Sequence, residues 1–168
     1  MKPAANLSLL WQELPYLDRF EAAAKAGFAA VEVLFPYDGA VKETQRACLT
    51  HGLDLILINA PPPNYTGGPR GFAAMPELVD RFRADMIRVY RYAEALSVKF
   101  VHVMAGDGSG TAAKDTFISN LIWASAAAPK GITLTIEPLN PVAMPGYFLN
   151  DYQLAQDIIH AVDQANVG

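Results

Sequence analysis

Short apolar runs alternate with longer amphipathic stretches along the whole chain, and this alternation constrains the fold more than any other feature. Parallel strands need a crossover of about a dozen residues, so strand-helix repeats of this kind predict βα units around a parallel sheet. Asn6 to Leu10 reads as a first strand, followed by a helix from Leu14 to Ala26 with Leu17, Phe20 and Ala24 at helical spacing and Gly27 as its stop. Ala30 to Phe35 reads as the second strand, and a helix through Cys48 then ends near Gly52. Leu53 to Asn59 is an aliphatic third strand. The proline- and glycine-rich stretch from Ala60 to Pro76 predicts a long loop, of a length that often covers a site as a lid. From Glu77 to Leu96, Leu78, Phe82, Met86, Val89, Tyr90 and Ala93 form one apolar stripe of a helix. Phe100 to Ala105 gives strand four, Lys114 to Ala128 a helix, Ile132 to Glu137 strand five and Asp151 to Gln164 a last helix. The expectation is a single α/β domain over residues 1–168 with about five βα units.

The strands carry a second signal. Parallel strands covered on both faces should be apolar throughout, yet polar residues recur here in one alternating phase. Thr133, Thr135 and Glu137 share one side of strand five, opposite Leu134 and Ile136; Glu32 opposes Val31 and Val33; Asn6 pairs with Ser8; His102 opposes Val101 and Val103. A flat doubly wound sheet leaves such groups desolvated, whereas a barrel collects them around a site at its C-terminal mouth. A partial (β/α)8 barrel is therefore favoured. Glu137, just before Pro138 at the end of strand five, stands where barrel enzymes place catalytic groups, the alternative being a structural ion pair. His102 reads equally as a substrate contact or as a hydrogen-bonded interior histidine, and Glu32 as a structural partner of other inward polar groups. Arg70, in Gly67-Gly68-Pro69-Arg70-Gly71, suits bidentate clamping of a carboxylate, although solvated loop arginines are commoner.

Other features exclude more than they assign. A formal net charge of -4 provides no footprint for nucleic acid, and no run approaches the roughly 18 apolar residues of a membrane span, so neither nucleic acid nor membrane is expected as a partner. The N-terminus lacks the apolar core of a secretory signal, which makes the cytoplasm the expected location. Cys48, the lone cysteine, reads as packing. Gly106-Asp107-Gly108-Ser109-Gly110 lacks the lysine of a phosphate-binding loop. Between Asp115 and Lys130 no charge interrupts the helix, which predicts a buried or assembled surface.

Several stretches together resemble the hydroxypyruvate isomerases and related 2-oxotetronate isomerases: Ala5-Asn6-Leu7-Ser8, the run Val31 to Asp38, Arg70-Gly71-Phe72-Ala73, the run His102 to Gly106, Ile136-Glu137-Pro138-Leu139-Asn140 and Pro145-Gly146-Tyr147-Phe148-Leu149. The resemblance implies a xylose-isomerase-like (β/α)8 barrel that interconverts hydroxypyruvate and tartronate semialdehyde through an enediol. It implies that Glu137 is the first of two catalytic glutamates and a ligand of a divalent metal, Mg²⁺ or Mn²⁺, and that Arg70, His102 and Asn140 contact a small hydroxy-oxo acid. Two departures stand out: Val142-Ala143-Met144 lies where relatives often carry an acidic residue, and Ile58 lies where some carry a histidine. A sugar epimerase of the same barrel type and a non-catalytic assembly domain are the competing readings. In the family, the second glutamate and further metal ligands come from strands six to eight, whereas Asn166-Val167-Gly168 falls about where strand six should begin. The expectation is weak or no turnover by the monomer, and self-association that covers an open barrel.

Overall fold

The computed structural model describes residues 3–168. In chain order it contains β1 (Ala4–Asn6), α1 (Asp18–Lys25), β2 (Ala30–Val33), α2 (Val41–His51), β3 (Asp54–Asn59), a 3-10 turn (Pro76–Leu78), α3 (Val79–Ala95), β4 (Phe100–His102), α4 (Gly110–Ala127), β5 (Thr133–Thr135) and α5 (Tyr152–Val162). All five strands pair in parallel in the order β1-β2-β3-β4-β5. A doubly wound sheet reverses its strand order at a switch point. Here spatial order follows chain order without reversal, as in successive staves of a barrel. Asn166–Gly168 continue the same progression: Leu134 N–H donates to Asn166 O at 2.8 Å and Gly168 N–H to Leu134 O at 3.0 Å, with Val167 bridged in parallel to Leu134.

The two phases of each strand separate as expected. Val31, Val33, Ile58, Val101 and Leu134 are buried beneath the helices with Phe20, Met86, Val89, Phe117, Leu121 and Ile158. The opposite phase points inward. Its alignment depends on a bulge that the alternation of the sequence does not reveal. Val31 pairs with Leu55 but Glu32 pairs with Leu57, so β3 carries Ile56 as an extra residue. A one-residue slip turns every later side chain to the other face. After the bulge, Asn59 faces inward in register with His102, and His102 in register with Thr135.

Several boundaries differ from the sequence reading. The first strand ends at Asn6, because the N–H groups of Leu9 and Leu10 both turn back to Asn6 O. α1 begins at Asp18 rather than Leu14, with tight turns over 11–18 closed by Leu14 N–H to Trp11 O and Asp18 N–H to Pro15 O. α4 begins at Gly110, four residues earlier than expected, and its uncharged surface packs between α3 and α5. The expected 60–76 loop is only partly a loop. Ala73 and Ala74 N–H groups donate to Met104 O and Ala105 O, and residues 71–74 are largely buried, leaving the tip at 64–68 exposed. No helix among the described residues is long and apolar enough to cross a membrane.

Candidate active site

A cleft of about 550 Å³ opens at the C-terminal ends of the strands. Its floor comes from the inward phase: Asn6 of β1, Glu32 of β2, Leu57 and Asn59 of β3, His102 of β4 and Thr135 of β5. Arg70 and Glu137, both exposed, stand at its rim. Three of the four residues singled out in the sequence therefore line one cleft. Asn140 does not: its side-chain oxygen accepts the Val142 N–H at 2.8 Å and its carbonyl the Met144 N–H at 2.9 Å, closing a turn that presents Leu139 and Met144 to the cleft.

The polar groups of the floor divide into partnered and unpartnered ones. Asn6 Nδ2 donates to Glu32 Oε1 at 2.8 Å, and Asn6 Oδ1 accepts the Ser8 N–H at 3.0 Å, so this pair ties β1 to β2. His102 is 7% exposed, and its Nε2 is buried without a hydrogen-bond partner. Burial pulls its pKa down to about 4, so the ring is neutral at pH 7. Asn59, 4% exposed, lines the same cleft with a buried, unpartnered Oδ1, while its Nδ2 meets only the Met104 sulfur at 3.5 Å. Buried polar atoms are nearly always paired, so two orphans lining one cleft mark a place where a ligand completes the bonding.

The surroundings hold these groups in place. Tyr37 Oη donates to the Asn59 carbonyl, and Tyr37 is itself gripped by Arg88, whose guanidinium lies 5.4 Å from the Tyr37 ring centroid and bonds the Tyr37 carbonyl. Tyr147 Oη accepts the Ala105 N–H at 2.9 Å. Burial, and then the nearby carboxylates of Glu137 and Asp107, push the Tyr147 pKa up to about 12. Gly106, which the sequence presents as part of a phosphate-like loop, serves instead a close backbone approach to Gly71.

The xylose isomerase-like TIM barrel family model matches residues 20–168. This chain belongs to that family. Its relatives include the 2-oxo-tetronate isomerase of Cupriavidus necator, 43% identical over 98% of this chain and 65% of that protein. The hydroxypyruvate isomerase of Escherichia coli K12 is 34% identical over 98% of this chain and 66% of its own length. Among solved structures, one described as an AP endonuclease, family 2, from Brucella melitensis superposes with a TM-score of 0.96 at 39% identity, covering 99% of this chain and 66% of that one. The chain thus spans slightly less than two thirds of the length of these relatives.

Within this xylose isomerase-like barrel the residues present do not amount to a metal site. Among the described residues no three His, Cys, Asp or Glu side chains are grouped to hold an ion. Glu32 is engaged by Asn6, which leaves Glu137 as the one carboxylate of the cleft without a hydrogen bond, against the six or so ligands Mg²⁺ requires. Asn59 is the site residue that the sequence reading passed over. Asn59 had one legible signal, a single polar residue closing the aliphatic run Leu55-Ile56-Leu57-Ile58 before a proline-rich loop.

Proposed function

We propose that this chain carries part of the active site of an isomerase that moves a proton between adjacent carbons of a short 2-oxo-3-hydroxy acid. The observation that carries the reading is the placement of Glu137, exposed and free of hydrogen bonds, on the same cleft as neutral His102 and Arg70. Names of relatives support the substrate class: hydroxypyruvate and 2-oxotetronate share the carboxylate, the 2-oxo group and a hydroxyl on carbon 3. Arg70 clamps the carboxylate through two parallel N–H···O bonds. Glu137 takes the proton from carbon 3, and the electron pair of that C–H bond forms the C2=C3 double bond while the C2=O pair moves onto its oxygen, which takes up a proton to give an enediol; a proton is then returned to carbon 2 as the carbon 3 hydroxyl gives up its own and becomes the new carbonyl. A neutral histidine beside the reacting oxygens donates or accepts a hydrogen bond without placing a fixed charge there.

The higher identity to the Cupriavidus protein favours a four-carbon acid as a second substrate reading. The Brucella structure's description points to DNA, but a formal net charge of -4 opposes a phosphate backbone. Self-association through the outer edge of β1 stays a separate proposal, tested by light scattering.

An assay with hydroxypyruvate and 2-oxotetronate, run beside Glu137→Gln and with substrate binding followed by calorimetry, tests the reading. Turnover or binding that depends on the cleft, with turnover reduced at least about 100-fold by Glu137→Gln, supports it. Unchanged turnover in Glu137→Gln removes Glu137 as the base, and absence of both binding and turnover removes the reading for this chain.

A further inference from the structure

We propose that Asn59 and His102 form a two-point recognition site for a ligand hydroxyl, so that they read the hydroxyl-bearing end of the substrate while Arg70 holds the opposite, carboxylate end. The proposal rests on the hydroxy-oxo acid reading of the cleft and specifies how such an acid lies in it.

The two residues are register partners on adjacent parallel strands, both on the inward phase. Both are more than nine-tenths buried, both line the cleft, and each has one polar atom with no partner, Asn59 Oδ1 and His102 Nε2. The amide orientation follows from its surroundings. Asn59 Nδ2 faces the Met104 sulfur at 3.5 Å, and a thioether accepts weakly but cannot donate, so the nitrogen belongs on the sulfur and the oxygen is the atom left without a partner. Neutrality of the ring leaves Nε2 able to act as a donor. An acceptor and a donor side by side suit a hydroxyl, which gives its proton to Oδ1 and takes one from Nε2. A carboxylate oxygen would meet Oδ1 lone pair to lone pair, and an ammonium would meet the Nε2 proton. Since the groups are buried, an analogue lacking the hydroxyl leaves both unpaired, and that penalty is the source of discrimination. Tyr37 acts here as a positioning residue through its bond to the Asn59 carbonyl.

The experiment compares hydroxypyruvate with pyruvate, which lacks only the hydroxyl, by calorimetry on the wild-type chain and on Asn59→Leu. Wild-type protein is expected to bind hydroxypyruvate at least ten-fold more tightly than pyruvate, and Asn59→Leu to reduce that ratio below three-fold. A wild-type ratio near one, or a ratio that survives Asn59→Leu, overturns the proposal. Side-chain resonances of Asn59 and His102 in the unmutated protein supply a second readout should the variant misfold: hydroxypyruvate should shift both and pyruvate neither, and any other pattern counts against the pair. If neither acid binds, the functional reading fails by itself, and erythritol, a neutral polyol, then decides for the pair. Shifts of both side chains keep it, and their absence overturns it.

Discussion

Gly106 lies against Gly71 so closely that a β-carbon on Gly106 would stand 2.4 Å from the Gly71 carbonyl oxygen, and one on Gly71 would stand 2.3 Å from Met104 O. Both residues also have positive φ, 83° at Gly71 and 81° at Gly106. This contact fastens the inner end of the 60–75 segment to the end of β4, and so fixes the wall of the cleft above His102.

Gly106→Ala should therefore cost several kcal/mol, on the order of 3 or more, because the clash is with backbone and the left-handed conformation adds its own strain. Urea denaturation measures it. A loss under about 1 kcal/mol would mean that the two segments can separate without harm.

His102 should make stability depend on pH. Its pKa falls from 6.5 in the unfolded chain to about 4 in the fold, so the unfolded state binds the proton first on acidification. Stability is complete above pH 6.5 and declines as the pH falls from 6.5 towards 4, by about 3 kcal/mol at most. Urea midpoints measured across this window should slope downward towards acid in the wild type and flatten in His102→Gln. Equal slopes in both proteins would show that the ring is solvated in solution.

Arg70→Ala should leave the melting temperature within about 1 °C, since Arg70 is exposed and makes no ion pair among the described residues, while weakening hydroxypyruvate binding roughly ten-fold. Calorimetry with and without the guanidinium decides this. Unaltered affinity would place the carboxylate elsewhere in the cleft.

Much of this architecture was legible because it rests on period. The apolar runs and the 3.6-residue stripe of α3 locate the five units, and the polar phase of β2, β4 and β5 points Glu32, His102 and Thr135 to one side. What the sequence hides is tertiary. Nothing in Asn6 to Leu10 announces that two N–H groups will curl back on one carbonyl and end β1 at Asn6. Nothing in the motif around Asn140 shows its side chain spent on its own turn. The spacing of Gly106, Gly108 and Gly110 resembles a phosphate cradle without its lysine and says nothing of what Gly106 is for, which is the close approach to the backbone of Gly71. Asn59 was hidden most completely, because alternation counted from Leu55 sends it to the helix side.

That miscount has a consequence for how this barrel tolerates change. Ile56 is the extra residue of the bulge, so its deletion should leave Leu57, Ile58 and Asn59 on their present faces, whereas one residue inserted between Leu57 and Ile58 should turn Ile58 and Asn59 by half a turn. Asn59 would then press its amide into the helix layer while Ile58 would take the seat beside His102. An insertion late in this strand is thus far more damaging than a substitution of equal size, and the ligand-reading edge of β3 depends on residue count as much as on residue identity.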